Sequence, residues 1–139
     1  MTLEEKFTLL ESYLKLKDVL LCLQVERDAL RDLKRLSDDM GLPPKGGSIS
    51  DPTGNAAVML AESIEEVDEL MQDVLHRMSM VRSLINESSG ITQREKMFLL
   101  MRYVRGDSNL TIGAEMGLPS KSAVQKRIKR IVQRMSPQK

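Results

Sequence analysis

Apolar residues recur along this chain at helical spacing, and no stretch alternates at the period of two that a half-buried strand requires. From Thr2 to about Asp39 no Gly or Pro interrupts the sequence. Leu9, Tyr13, Leu16, Leu20 and Leu23 form one seam, broken by Arg27 before Leu30, and Phe7, Leu10, Leu14 and Leu21 widen it. Thr2 with Glu5 three residues later fits a capping box at its start. Gly41, Pro43, Pro44, Gly46 and Gly47 then break the helix, and Asp51-Pro52-Thr53-Gly54 continues the connection with a cap and a first-turn proline.

A second helix is expected from about Asn55 to Asn86. Leu60, Ile64, Val67, Met71, Val74, Met78, Val81 and Ile85 follow one another at steps of four and three without a break, an unbroken heptad stripe. One helix cannot bury such a stripe alone. It must pack on the first helix as an antiparallel hairpin, on a second copy, or on both. Because the stripe is longer than the interrupted seam of the first helix can neatly cover, a homodimer through residues 55–86 is expected. Glu62, Glu65, Glu66, Asp68, Glu69 and Asp73 read as a solvated outer face, since they lack the histidine partners or loop geometry that metals want.

Asn86 to Gly90 is the next break, and three shorter helices follow. Thr92 and Glu95 form a capping box for the first, with Met97, Leu100, Met101 and Val104 as its apolar face and Gly106 at its end. Leu110 to Met116 makes a short helix, with Gly113 where close backbone approach is needed and Gly117 at a turn that favours positive φ. Ser120 caps the third, over 120–135, whose inner face is Val124, Ile128, Ile131, Val132 and Met135. The expected architecture is all-α: a helical hairpin over residues 1–86, serving oligomerisation or interaction, then a three-helix helix-turn-helix module over residues 91–139.

Charge sharpens this picture. The formal net charge of +1 conceals 10 Lys+Arg against 16 Asp+Glu in residues 1–86, and 11 against 4 in residues 87–139. Residues 120–139 hold seven basic side chains and no acid, the footprint of a surface that displaces counterions from nucleic acid. In a helix-turn-helix the second helix enters the major groove with its N-terminal side chains at base edges. Lys121, Ser122, Gln125 and Lys126 are therefore the candidates for base contacts, because Gln matches adenine and Lys guanine. Lys129, Arg130 and Arg134 are candidates for phosphate contacts.

Other chemistry finds little support. Cys22 is a single cysteine and His76 a single histidine, so neither a disulfide nor a Cys/His metal site is expected. No phosphate-cradling glycine loop and no nucleophile–base pair appears, so no enzyme and no cofactor is expected. No apolar run reaches the roughly 20 residues of a membrane span, and Glu4 and Glu5 spoil a signal-peptide start. A soluble cytoplasmic protein is the expectation.

Ile91-Thr92-Gln93-Arg94-Glu95, Leu99-Leu100-Met101-Arg102-Tyr103-Val104, Leu110-Thr111-Ile112-Gly113 and Gly117-Leu118 together resemble region four of sigma-70-type factors. That resemblance covers about a third of the chain and departs at the turn, where Pro119-Ser120 stands in place of one residue. It implies a helix-turn-helix that reads promoter DNA. The whole layout, with its Asp-Pro-Thr-Gly stretch, resembles ArpU-type and other sigma-like transcriptional regulators from phages of Gram-positive bacteria. Double-stranded DNA is the partner implied. The alternatives are a phage terminase small subunit, which also joins a helix-turn-helix to an oligomerising helical region, and a module that docks on RNA polymerase.

Overall fold

The computed structural model describes residues 1–39 and 52–136, and among them every regular element is helical. Helix α1 spans Leu3–Asp39 and α2 spans Pro52–Asn86. Helix α3, Gln93–Leu99, runs directly into a π-helical turn at Leu100–Val104, and α4 (Asn109–Met116) and α5 (Lys121–Arg134) follow. Of the Gly- and Pro-rich connection expected over residues 41–54, residues 41–51 lie outside the described residues, and Pro52, Thr53 and Gly54 already belong to α2, which starts three residues earlier than expected. The architecture is all-α, with the long hairpin helices first and the three short ones after them.

The start of each element follows from local hydrogen bonding. Thr2 and Glu5 exchange backbone–side-chain bonds of 3.0 and 3.2 Å, and Thr92 and Glu95 do the same. Ser108 caps α4 through the Thr111 N–H, and Ser120 caps α5 through the Ala123 N–H, both at 3.2 Å. Each of these side chains satisfies one of the donors a helix start leaves without a partner.

The chain forms two compact units, residues 18–75 and residues 1–17 with 76–139. In the first, α1 and α2 are antiparallel, and Arg27 and Arg31 of α1 both reach Asp68 of α2, at 4.0 and 3.7 Å. Val67, Met71 and Val74 are buried and Leu60 and Ile64 half-buried, matched by half-buried Leu20, Leu23 and Leu30. Arg27, which breaks the α1 seam, lies half-buried beside its carboxylate partner. Every heptad position from Leu60 to Val74 is thus at least half covered within one chain, so the length of that stripe supplies no argument for a dimer.

The other unit does not respect the boundary expected at residues 86–91. Leu10 and Tyr13 of α1 and Val81, Leu84 and Ile85 of α2 share one core with Phe98, Leu99, Met101, Tyr103, Ile112, Val124, Ile128, Ile131, Val132 and Met135. The change of charge at Asn86 marks a change of surface, whereas the apolar faces of three short helices need the hairpin ends to be covered. Arg82 Nε donates to the Tyr13 hydroxyl at 2.9 Å, which ties α1 to α2 within this core.

The face expected for α3 is corrected by the π turn. The Arg105 N–H bonds to the Leu100 carbonyl, five residues back, at 2.9 Å. A regular helix that buries Phe98 and Leu99 would bring Arg102 inward next; the wider turn brings in Tyr103 instead. Of the expected positions Met101 is buried, Leu100 and Val104 are half-buried, and Met97 is 60% exposed.

Burial raises the Tyr103 phenol to about 12, with Arg102 pulling it down and Glu11 pushing it up. A folded-state value above the unfolded one gives stability that is complete below about pH 10 and is lost as pH rises through about 12. Urea denaturation in that window should show the loss for the parent protein, and Tyr103→Phe should flatten it. A second test addresses Gly90, whose φ is +85° and where an added Cβ would lie 2.5 Å from the Arg134 carbonyl oxygen. Gly90→Ala should cost about 2 kcal/mol or more, because neither the positive φ nor the backbone neighbour can yield cheaply.

Candidate nucleic-acid interface

Two glycines set the geometry of the α4–turn–α5 pair. Gly117 is left-handed, with φ 73° and ψ 26°, and its N–H closes α4 on the Gly113 carbonyl. The Leu118 N–H bonds to the same carbonyl at 2.8 Å. At Gly113 an added Cβ would sit 3.2 Å from the Leu118 carbonyl oxygen and 3.3 Å from Val124 Cγ2, so α5 packs directly against the α4 backbone. A four-residue turn, Gly117 to Ser120, separates the helices, as in a helix-turn-helix.

Helix α5 is held by its apolar side. Val124, Ile128, Ile131 and Val132 are buried, and Met135 just beyond is 1% exposed. At about 100° per residue, that fixes which side chains face away from the core. Ser122, Lys126, Lys129, Arg130 and Gln133 project outward, while Lys121 and Gln125 lie on one flank and Arg127 and Arg134 on the other. All seven residues expected to bind DNA are exposed on this helix.

The structure gives Arg134 a different employment from the one expected. Its guanidinium is paired with Glu95, the N3 member of the α3 capping box, whose side chain is 7% exposed. Arg134 therefore anchors α5 to the start of α3. Arg127, outside the set expected to bind DNA, lines a cavity of about 530 Å³ with Arg130, Arg134, Gln133, Thr92 and Glu95. Arg127, Arg130 and Arg134, at spacing i, i+3 and i+7, thus share that flank with the Glu95 carboxylate that Arg134 pairs. The spacing was legible in the sequence; the position of α3 beside it was not.

The far end of α5 carries a second unexpected contact. Lys6 of α1 is 8% exposed, and its Nζ donates to the Met135 carbonyl at 2.7 Å and approaches the Val132 carbonyl at 3.4 Å. A cation on the last carbonyls of a helix satisfies acceptors that have no partner in the helix and opposes the negative end of its dipole. Ser136 then pairs with Ser89 through two backbone bonds of 3.1 Å. Helix α5 is thus fixed at its start by the glycine turn and at its end by Lys6, Glu95 and Ser89. Among the described residues no cluster of His, Cys, Asp and Glu could hold a metal, and no helix is long and apolar enough to cross a membrane.

Lys6→Met should lower stability by about 1–3 kcal/mol, because two carbonyls at the buried end of α5 lose their donor. Arg134→Ala should cost a similar amount by leaving the Glu95 carboxylate buried and unpaired, and Glu95→Gln in that background should recover part of it. Urea denaturation of the full chain measures both.

Comparison of the chain with protein-family models, with curated proteins and with solved structures finds no match, so the site stands on its own geometry and on the motif resemblance.

Proposed function

We propose that this protein is a sequence-specific DNA-binding transcriptional regulator that places α5 in the major groove. One observation carries the reading: a glycine-turned pair of helices presents an α5 surface with six basic residues and no acid, on a unit that is itself strongly cationic. That unit, residues 1–17 and 76–139, has 16 Lys+Arg against 7 Asp+Glu. A convex helix of this kind fits a groove lined by phosphates better than it fits an apolar protein surface.

Ser122 and Lys126, near the N-terminal end of α5 and facing outward, are assigned to base edges, with Gln125 and Lys121 flanking them. Lys129, Arg130 and Arg127 are assigned to phosphates, and Arg134 acts through Glu95. The resemblance to region four and to sigma-like phage regulators points to phage or mobile-element promoters as the targets and to transcription as the process. A packaging role or docking on RNA polymerase would use the same module differently.

Fluorescence anisotropy with DNA fragments from upstream of neighbouring genes, over a salt series, tests the proposal. Binding should saturate, select among sequences and fall steeply with salt. Lys129→Ala and Arg127→Ala should each weaken binding to all sequences and reduce the log–log salt slope by about 0.9. Gln125→Ala and Lys126→Ala should cost about 1–3 kcal/mol on the preferred fragment and little on others. Preference for a packaging-site fragment would transfer the protein to DNA packaging. No binding at low salt would overturn the DNA reading in favour of a protein partner.

A further inference from the structure

The unit formed by residues 18–75 carries a second apolar stripe, separate from the one that closes the hairpin. Val19, Cys22, Glu26, Ala29, Leu33 and Leu36 follow one another at steps of three and four along α1, and all six are exposed. Val19, Leu33 and Leu36 are 47%, 53% and 54% exposed. Heptad spacing on a solvent-facing side is the pattern of a helix that expects another helix.

Antiparallel neighbours turn the same flank to the same side of a hairpin, so this stripe continues onto α2. Met59 and Leu70, 65% and 54% exposed, share that side with Glu62 and Glu66. The bridges from Arg27 and Arg31 to Asp68 lie on the opposite side. Between residues 46 and 76 α2 contains no Lys or Arg, and the basic residues of α1 in this unit, Arg27 to Arg35, lie along the seam and the opposite side. Within residues 18–75 the charged side chains beside the stripe are acids, in a unit with 13 Asp+Glu against 5 Lys+Arg, and the basic Lys15 and Arg77 follow on the same helix faces only beyond its Val19 end.

We propose that this face docks an amphipathic helix of a partner protein whose apolar ridge is flanked by Lys or Arg. Charge selects that occupant over a second copy of this chain. Two copies overlapping along residues 19–36 would bring Glu26, Glu62 and Glu66 against the same acids, with Lys15 and Arg77 left beyond the end of the overlap, whereas a basic helix pairs each of the acids at the rim. From Val19 to Leu36 the stripe runs for about 26 Å, room for four to five turns of a partner helix at about 1.5 Å per residue. This is helix-in-groove recognition, with apolar anchors at helical spacing supplying affinity and rim charges supplying selection. The inference stands apart from the DNA-binding reading, since none of its residues belongs to α5 or its supports.

Two synthetic amphipathic helices test it, identical in their leucine pattern and flanked by lysines in one and glutamates in the other. Titrated into the full-length protein by calorimetry, the Leu–Lys peptide should bind one to one, and at least about tenfold more weakly at about 500 mM than at about 50 mM NaCl. Leu33→Gln with Leu36→Gln, both at exposed positions, should weaken it about tenfold or more. Glu26→Lys with Glu66→Lys should reverse the preference toward the Leu–Glu peptide. Both variants should keep the helical circular dichroism and DNA affinity of the parent, and the parent should sediment as a monomer. Peptide binding that neither variant alters, or no binding at low salt, would overturn the proposal. So would a parent dimer that Leu33→Gln with Leu36→Gln dissociates, which would assign the face to a second copy.

Discussion

A helix that ends inside a protein must find donors for its last carbonyls, and the C-terminal end of α5 meets that constraint through residues remote in sequence. Lys6 reaches the Met135 and Val132 carbonyls across almost the whole length of the chain. The Ser89–Ser136 pair takes the backbone just beyond, and the Arg134 carbonyl lies so close to Gly90 that no side chain could replace its hydrogen. Because Lys6 belongs to α1, the end of α5 cannot be completed from the residues after Asn86 alone. The same constraint explains why Leu10, Tyr13, Val81 and Ile85 belong to the core of a DNA-binding candidate rather than to a separate lobe.

Much of this was written locally and could be read locally. The long gap without Gly or Pro, the Thr92/Glu95 box, Gly113, Gly117 and Ser120 act on neighbours within a few residues, so each predicts its own turn or cap. The Ser108 cap is equally local, and it starts α4 at Asn109, one residue earlier than the apolar spacing alone indicates. What stayed hidden depends on distant partners. A lone lysine on the first turns of α1 gives no sign that it will cap α5. The π turn at Leu100–Val104 moves Tyr103 inward in place of Arg102, and period counting at 3.6 cannot register one inserted residue. The heptad stripe of α2 was plain in the sequence, yet spacing alone did not say whether α1 or another chain would cover it.

The two units carry opposite charge, and the signs constrain their uses differently. A unit with an excess of nine cations is drawn to a polyanion before any specific contact forms, which speeds association and makes it sensitive to salt. A unit with an excess of eight anions is repelled by the same duplex. It therefore serves DNA binding poorly as a contact surface, and its exposed leucines and valines have no role there. Apolar side chains bordered by acids instead favour a cationic protein surface, where burial supplies the attraction and the border rejects anionic competitors.

Rotation of α5 about its own axis is what a protein with the proposed function must control, because a slip of one residue turns the helix by about 100° and replaces the side chains on its outer face. Val124, Ile128, Ile131 and Met135 set the coarse angle by burial, but apolar packing alone tolerates small rolls at low cost. The polar anchors are directional. Glu95 holds Arg134 on the α3 flank and Lys6 holds the terminal carbonyls from α1. One anchor acts on a side chain and the other on the backbone, so a roll that relieved one would strain the other. Buried charge is a costly way to gain stability, and its use at both of these positions is better explained by the register it imposes on Ser122, Lys126 and Lys129 than by the energy it adds.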